Sequence, residues 1–365
     1  MSSTVLLGDT AVIYDAKRKP LNSRERAERK GKYPYYGASD VVDHINDYLF
    51  DGEYVLIAED GENLRSRKTP IAFKADGKFW VNNHAHVLQG KESWINDFIV
   101  SYFRYLDLSP YLTGAAQPKL NQESLLRIPI TWPSDAFAKK LAEISSSFDE
   151  KIELNRRMNK TLEEIGQALF KNMFVDNQEK EKWPVGKLED LFNIVMGQSP
   201  PGSSYNELGE GVIFYQGRAG FGERFPTNRL YTTKPKRLAR DGDILLSVRA
   251  PVGDINQASE DCCVGRGLAA IRQKDDFLTF GYYFLNSLRF RFNEFNDEGT
   301  VFGAINGKQL KNLVVAVPPI ELIEKFEVAA GPNDELIRNN SEEISTSVLI
   351  RDSILPRLMS ARINL

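Results

Sequence analysis

Two histidines that alternate along one predicted strand are the first residues in this sequence whose spacing could do chemistry. His84 and His86 lie in the run 81–88, where a side-chain period of two would place both imidazoles on one face. Two imidazoles could begin a metal site, but no third and fourth ligand follows at a suitable spacing. We therefore predict no bound metal, and a structural or DNA-facing role for the two histidines.

Motifs for nucleotide and methyl-transfer chemistry are incomplete. Residues 303–308 are one residue short of a phosphate-binding Walker loop and precede Gln309. The Ser-Pro-Pro-Gly tetrad at 199–202 carries a glycine where an amino-methyltransferase needs an aromatic that stacks on a flipped base. The glycine-rich run 217–222 lacks a clear strand-to-helix context for a cofactor. The spacing of the residues identifies no catalytic nucleophile with a general base beside it. We therefore predict no catalytic residue in this chain.

Cysteine content and composition restrict the class of protein. The two cysteines, Cys262 and Cys263, are adjacent, which excludes a disulfide framework and a four-cysteine zinc site, and we expect both in the core. No apolar run approaches the roughly 20 residues that cross a bilayer, and the first ten residues do not resemble a signal peptide. We expect a cytoplasmic protein without a membrane partner. A length of 365 residues predicts at least two domains.

Positive charge is concentrated locally, although the net charge is −3. Residues 17–32 contain eight Lys or Arg against two acids, and residues 214–240 contain seven against one. Lys and Arg neutralise phosphates, and Arg can also donate two hydrogen bonds to guanine. Instead of binding DNA, each basic run could simply be a solvated surface. Each polar loop residue could likewise serve only to form a turn. The DNA-binding candidates are Lys17, Arg18, Lys19, Arg65, Arg67, Lys68, Asn82, His84, Gln117, Gln198, Ser199, Arg218, Arg224, Lys234, Lys236, Arg237, Arg240, Arg249, Arg266 and Lys308.

An approximate internal repeat organises the chain. Asn121 and Asn306 stand in similar surroundings 185 residues apart, and the same interval separates Pro133 from Pro318. Upstream, residues 51–56 resemble 241–246, and 81–88 loosely resemble 264–271. Each half is predicted to be one strand-rich module followed by one long helix. The predicted boundaries are 1–133 and 181–318 for the modules, and 134–180 and 319–365 for the helices.

Short β-branched and aromatic runs bounded by Gly, Asn and Asp predict strands within the modules. Amphipathic spacing predicts short helices over 96–106 and 278–295. Each module is therefore expected to be an α+β domain with a curved sheet. The predicted strands cover residues 54–58, 71–73, 79–81, 244–248 and 313–317.

The helical segments show apolar residues at steps of three and four. Ser134 is expected to cap the first helix, with Asp135 in its first turn. About 40 residues would span roughly 60 Å, too long for one small domain, so each helix needs a partner. We predict an antiparallel coiled coil with pseudo-two-fold symmetry, kinked or broken at Gly331 and Pro332. The predicted seam comprises Phe137, Leu141, Ile144, Phe148, Ile152, Met158, Leu162, Ile165, Leu169, Ile337, Ile344, Val348, Leu355 and Leu358.

Several of these segments resemble one known family. The helix 148–176 resembles, over nearly its whole length, the first conserved helix of the specificity (S) subunits of type I restriction-modification systems. Residues 33–39, 264–271 and 349–358 resemble other family segments, in the same order along the chain. Asp135-Ala136 and Glu321-Leu322 depart from the acidic-Gln pair that usually follows each module.

The resemblance implies two target recognition domains that read the halves of an asymmetric, bipartite DNA target, with the helices as a spacer. It implies two methyltransferase (modification) subunits as partners, which carry S-adenosylmethionine and methylate adenine. It also implies motor-nuclease restriction subunits that use ATP. This chain itself would bind no cofactor and would act on double-stranded DNA. Two other classes stay open: a methyltransferase that acts alone, and a coiled-coil adaptor without a DNA role.

Overall fold

The computed structural model of the protein describes residues 3–114, 116–132, 134–297 and 303–359. The chain divides into two compact units. Unit 1 comprises Met1–Glu153 with Ser345–Leu365, and unit 2 comprises Leu154–Ile344. Each unit therefore contains one strand-rich module together with a stretch of each long helix. Pro133, predicted to end the first module, and residues 360–365, predicted to belong to the second helix, lie outside the described residues.

Unit 1 is built on a four-stranded central sheet and a four-stranded second sheet. A two-stranded ribbon, Ser3–Leu6 with Pro129–Trp132, joins the two ends of the module. The central sheet has the strand order Ala11–Ile13, Ala85–Gly90, Tyr54–Ala58, Ala72–Ala75. The second sheet has the order Val41–Ile45, Lys30–Tyr36, Lys78–Val81, Phe50–Asp51. The helices of the module are Leu7–Thr10, Ser23–Glu28, Asn63–Ser66, Ser93–Tyr105 and Gln122–Leu126, with 3₁₀ turns at Asp15–Lys17 and Ser109–Tyr111.

Unit 2 likewise has a ribbon, a four-stranded central sheet and a second sheet, which here has five strands. Its ribbon pairs Val185–Lys187 with Val314–Ala316. The central sheet has the order Phe192–Met196, Leu268–Gln273, Ile244–Ser247, Ile255–Gln257. The second sheet has the order Tyr205–Asn206, Tyr231–Thr232, Val212–Tyr215, Cys262–Val264, Leu238–Ala239. The helices of the module are Leu188–Leu191, Leu278–Ser287, Arg289–Asp297 and Gly307–Lys311, with 3₁₀ turns at Lys180–Lys182, Gly202–Ser204 and Arg218–Gly220.

The predicted internal repeat is confirmed by the strand pairing. In both central sheets the inner pair is antiparallel, Tyr54–Ala58 with Ala85–Gly90 in unit 1 and Ile244–Ser247 with Leu268–Gln273 in unit 2. In both second sheets one inner pairing is parallel, Lys30–Tyr36 with Lys78–Val81 in unit 1 and Val212–Tyr215 with Cys262–Val264 in unit 2. The α+β class predicted for the modules is therefore correct, and both units place their core under the central sheet.

The helix predicted over 278–295 is two helices. The break falls at Leu288, whose φ of −91° and ψ of 2° leave the helical region after Ser287. The helix predicted over 96–106 is Ser93–Tyr105. Cys262 and Cys263 lie buried in a strand, as predicted, and burial raises the pKa of the Cys262 thiol to about 12.

Two long helices, Asp135–Phe170 and Ile320–Met359, follow the modules. The first begins as predicted, since the Phe137 N–H donates to Ser134 Oγ at 3.3 Å, and it ends in a wider π-type turn, Lys171–Val175. In unit 2, Asn155 bonds to Glu343 and Asn159 to Ser341, so residue numbers rise along one helix as they fall along the other. The pair is antiparallel, as predicted.

The antiparallel course is the same within unit 1. There Asp149 on the first long helix pairs with Arg351 on the second, at 2.6 Å. Leu141 shares the core of unit 1 with Leu355 and Leu358. Among the described helices, none combines the length and the apolarity that crossing a bilayer requires.

The prediction that Gly331 and Pro332 break the second long helix is wrong, because one helix runs through both residues. A proline ring normally clashes with the Cβ of the residue before it, which disfavours the helical conformation there. Gly331 has no Cβ, so this clash does not arise. Ala330 on one side is fully buried, and Ile337 on the other is 1% exposed, so packing holds both flanks of the dipeptide in place.

Part of the predicted seam is also corrected. Met158 and Ile165 are exposed, whereas Asn155 is 2% exposed and Gly166 is buried. After Ile152 the inward stripe continues through polar and small residues, so apolar spacing alone selected the wrong face. The remaining seam residues are buried or half-buried: Phe137, Leu141, Ile144, Phe148, Ile152, Leu162, Leu169, Ile337, Ile344, Val348, Leu355 and Leu358.

Candidate nucleic-acid interface

In unit 1, three loops converge at one edge of the central sheet. His84 lies just before the strand Ala85–Gly90, and its Nδ1 is 2.9 Å from both carboxylate oxygens of Asp60. Asp60 in turn forms an antiparallel bridge with Lys119. The His84 backbone N–H donates a hydrogen bond to Asn82 Oδ1 at 2.7 Å. The edge therefore presents an amide, an imidazole paired with a carboxylate, and a lysine.

The candidates Gln117 and Arg65 lie beside this edge. The Gly61 N–H donates to the Pro118 carbonyl at 3.2 Å, which holds Gln117 next to the Asp60 turn. Arg65 Nη2 donates to the Gly114 carbonyl at 3.1 Å, on the same 113–119 loop. Gln117 and Arg65 are far apart in the sequence, and the fold brings them to the same edge.

His86 does not share a face with His84, so the possible chelating pair does not exist. His86 is 1% exposed, and its Nδ1 lies 2.5 Å from Asp15 while its Nε2 lies 2.7 Å from the Leu120 carbonyl. Asp15, Glu59 and His86 place three potential metal ligands within 4.8 Å of one another. Arg18, however, pairs with Glu59 at 2.7 Å and with Asp15 at 3.0 Å. The cluster is thus an internal ion-pair network.

This network corrects the prediction for Arg18, because Asp15 and Glu59 already occupy its half-buried guanidinium. Arg67 is corrected in the same way. Its guanidinium donates to the Leu106 carbonyl at 2.7 Å and to the Arg104 carbonyl at 3.0 Å, at the C-terminal end of the helix Ser93–Tyr105. Burial lowers the pKa of Arg67 below its ordinary value. Both arginines are half-buried, and their guanidiniums bond to groups of unit 1.

The other basic candidates of unit 1 lie at the surface. Lys17 is exposed and its ammonium lies 4.9 Å from the centre of the Tyr14 ring. Lys19 and Lys68 are exposed as well. The Lys19 carbonyl accepts a hydrogen bond from Trp80 Nε1 at 2.6 Å, which fixes the backbone and leaves the side chain outward. These three lysines remain candidates for phosphate contacts.

In unit 2, the equivalent edge of the central sheet gathers four loops. Arg249 follows the strand Ile244–Ser247 and bridges to Ala304, as Asp60 bridges to Lys119 in unit 1. The Arg266 N–H donates to Ser199 Oγ at 3.2 Å, and the Gln198 N–H donates to the Val264 carbonyl at 3.0 Å. Arg249, Arg266, Gln198 and Ser199 are therefore neighbours in the fold, although 68 residues separate Gln198 from Arg266.

A surface pocket of about 520 Å³ lies beside this edge. Its lining includes Arg237, Lys308 and Lys311 together with a single carboxylate, Glu189. Among the residues that the structure describes, no carboxylate forms an ion pair with any of these three cations, so all three can attract an anion. Lys311 was not among the predicted residues. It stands three positions after Lys308, one turn along the short helix Gly307–Lys311, and that spacing could have identified it.

The remaining basic candidates of unit 2 differ in their exposure. Lys234, Lys236 and Arg240 are exposed on the segment that leads to and follows the strand Leu238–Ala239. Arg218 is half-exposed and forms an ion pair with Asp254 at 2.6 Å. Arg224 is corrected, because it is 5% exposed and pairs with Glu163 and Asp334. Its charge is neutralised within unit 2.

Asp60 and Lys119 are the functional candidates that sequence reasoning missed in unit 1. In the internal repeat, Asp60 corresponds to Arg249 and Lys119 to Ala304, and these two residues of unit 2 lie at the equivalent edge. Aligning the two halves of the sequence would have marked them. The two edges also differ in charge, because a carboxylate in unit 1 stands where unit 2 has an arginine.

Comparison with known proteins identifies the family. The pattern of the type I restriction modification DNA specificity domain matches residues 3–164 and 180–325, most of the chain and both modules. The chain belongs to this family. The MjaX specificity subunit of Methanocaldococcus jannaschii is 33% identical over 287 residues, 73% of this chain and 67% of that protein. The MjaIX specificity subunit of the same organism is 24% identical, over 90% of this chain and 86% of that protein.

A solved structure agrees with the family in its fold. The type I restriction-modification S subunit from M. genitalium superimposes with a TM-score of 0.69, covers 98% of this chain and 96% of its own, and is 15% identical. The protein is thus a type I specificity subunit, whose work is DNA recognition.

Proposed function

We propose that this specificity subunit reads a bipartite, asymmetric DNA target, with one half-site contacted by the loop edge of each module. The single observation that carries the proposal is the repetition of one edge, at Asp60–Lys119 and at Arg249–Ala304, with different side chains on it. Repeated geometry supports a shared task, and different donors and acceptors support different bases. Phosphate contacts by exposed lysines would position the chain, while side chains at the edges specify the sequence.

The side chains at the two edges differ in what they can recognise. Arg249 and Arg266 can each donate two hydrogen bonds to guanine O6 and N7 in the major groove. Asp60 accepts hydrogen bonds and suits the cytosine N4 amine, and Asn82 can both donate and accept, as adenine requires. We therefore expect half-sites of different base composition.

The antiparallel helices would set the spacer between the half-sites. In our proposal this chain performs no catalysis itself. Two methyltransferase subunits would supply S-adenosylmethionine and methylate adenine, and restriction subunits would supply ATP-driven motion and cleavage, in the cytoplasm. The incomplete Walker and amino-methyltransferase motifs of this chain support that division of labour.

The test is to co-express the chain with its methyltransferase subunits and to map methylated adenines across genomic DNA. We expect a single split motif whose halves differ and which disappears when this chain is omitted. Methylation by the purified chain with S-adenosylmethionine alone would instead identify an enzyme. A methylation pattern that does not depend on this chain would identify an adaptor.

Shortening the helices tests the spacer. Deleting 151–157 together with 342–348 removes seven residues from each helix, about 10 Å at 1.5 Å per residue or roughly three base pairs. We expect the preferred spacer to shorten while both half-sites keep their bases. A matched control replaces exposed residues of the same segments without changing their length. Altered half-sites at an unchanged spacer would overturn the role of the helices.

A further inference from the structure

Two aspartates occupy equivalent positions on the two long helices. Asp149 and Asp334 are 185 residues apart, the interval that also separates Asn121 from Asn306 at the ends of the two modules. Each aspartate therefore lies at the same distance along the helix that follows its own module. The contacts of each one are confined to its own unit.

In unit 2, Asp334 takes part in a buried cluster with Arg224. Arg224 Nη2 lies 2.6 Å from Asp334 on the second long helix, and Nη1 lies 2.7 Å from Glu163 on the first. Arg224 Nε donates to Gln257 Oε1 in the central sheet at 3.1 Å. One guanidinium, carried by a loop of the module, thus joins the sheet to both long helices. Its planar fork fixes the direction of all three bonds.

Two tyrosines of the module helix Leu278–Ser287 complete this cluster. The Arg224 guanidinium lies 3.2 Å from the centre of the Tyr282 ring. Tyr283 Oη donates to Asp334 Oδ1 at 3.3 Å. Burial by itself would lower the pKa of Arg224, but Tyr282, Asp334 and Glu163 together raise it above its ordinary value. The arginine therefore stays charged inside the unit.

In unit 1, Asp149 has the same kind of partners, although the residue types differ. Arg104, on the module helix Ser93–Tyr105, lies 2.8 Å from Asp149, and Arg351 on the second long helix lies 2.6 Å from it. Next to Arg104, Tyr105 Oη donates to Asp352 at 2.8 Å. As in unit 2, a carboxylate on a long helix forms an ion pair with an arginine of the module. A neighbouring tyrosine of the module also donates a hydrogen bond to a carboxylate on a long helix.

From this recurrence we infer that Asp149 and Asp334 are positioning residues, each of which fixes the direction in which its module's DNA-reading edge points. The inference rests on the proposed function and deepens it. Apolar packing between a module helix and the long helices tolerates small rotations, whereas ion pairs with two or three fixed directions do not. A recognition edge that keeps its direction accepts a single spacer. Without the aspartate it would still read its half-site but would tolerate neighbouring spacers.

The test uses the full complex of this chain with its methyltransferase subunits. Asp334→Asn and Asp149→Asn are compared with Glu335→Gln and Glu150→Gln, which alter exposed neighbours on the same helices. Methylation is measured on DNA libraries in which both half-sites are fixed and the spacer varies by single base pairs. In the aspartate variants we expect methylation at spacers one base pair longer or shorter to rise about tenfold relative to the preferred spacer, because an arginine that loses its carboxylate partner loses the fixed direction of that bond. Methylation should stay unchanged in the controls.

A second variant keeps the test decisive if Asp334→Asn fails to assemble. Arg224→Lys retains the cation but cannot span two carboxylates, and it should widen the spacer range in the same way. The dependence of DNA affinity on salt should keep its slope in this variant, because Arg224 touches no phosphate. An unchanged spacer range, or a slope that falls by about one, would overturn the inference. A parent complex that shows no split target would instead overturn the proposed function.

Discussion

Asn340 Nδ2 donates to Asn159 Oδ1 at 2.9 Å, across the two long helices of unit 2. Asn340 is 6% exposed, so its amide is desolvated and depends on this partner. Asn159 also donates to Ser341 Oγ at 3.1 Å, which places two side-chain hydrogen bonds within one turn of the seam. Polar pairs at such positions specify the register of paired helices at some cost in stability.

Replacing Asn340 by Ala removes that donor and leaves a small cavity. We expect the free energy of unfolding to fall by about 1–3 kcal/mol, the range for a buried hydrogen bond that loses one partner. Chemical denaturation followed by circular dichroism measures it. Asn339→Ala is the matched control, since Asn339 is the exposed neighbour and its loss should cost under about 0.5 kcal/mol. Equal losses at the two positions would show that the hydrogen bond contributes nothing.

The two edges should act on separate half-sites. We expect Arg266→Ala to relax base preference in one half-site and His84→Ala in the other, each by about 1–3 kcal/mol of discrimination. Methylation of libraries randomised at one half-site at a time measures the preference. Lys274→Ala and Lys91→Ala are controls, because these residues stand just beyond the opposite ends of the same strands. Loss of preference in both halves from one substitution would contradict separate recognition.

Exposed lysines of unit 2 should act on phosphates without regard to sequence. Removing both Lys234 and Lys236 by substitution with Ala should weaken binding to all sequences alike. It should also reduce the slope of log affinity against log salt by about two, since each phosphate contact contributes roughly 0.9. Fluorescence anisotropy over a salt series measures both quantities. Lys325→Ala, an exposed lysine on the second long helix, should leave the slope unchanged. If the double variant keeps the parental slope, these lysines do not reach the DNA.

In unit 2, the first long helix and the module helix Leu278–Ser287 should need a glycine at position 166 to pack as closely as they do. A Cβ at this position would overlap the Tyr283 hydroxyl of the module helix. We expect Gly166→Ala to destabilise the protein by about 1–3 kcal/mol despite the better helix propensity of alanine. Tyr283→Ala removes both the hydroxyl and the ring that this Cβ would meet. The double variant should therefore lose less stability than the two single variants together, a coupling that a double-mutant cycle detects. Additive effects of the two changes would show that the residues do not meet.

Much of the architecture was available from the sequence, because it depends on local signals. Two modules and two long helices follow from the repeat of Asn121 and Asn306, the cap at Ser134 and the apolar steps of three and four. The incomplete motifs at residues 199–202 and 303–308 also come from the sequence alone, because each is defined by a short stretch of chain. They predict that the chain is not catalytic.

Long-range contacts decided the rest, since their energy depends on which distant groups meet. Arg18, Arg67 and Arg224 look alike as basic residues in the sequence. Their guanidiniums are bonded inside the units, to Glu59, to the end of Ser93–Tyr105 and to Asp334 respectively. Met158 and Ile165 fit the apolar pattern, but buried Asn155 and Gly166 take the inward face because Glu343 and Tyr283 lie opposite them. Periodicity determined that helices form, and tertiary packing determined which of their faces are buried.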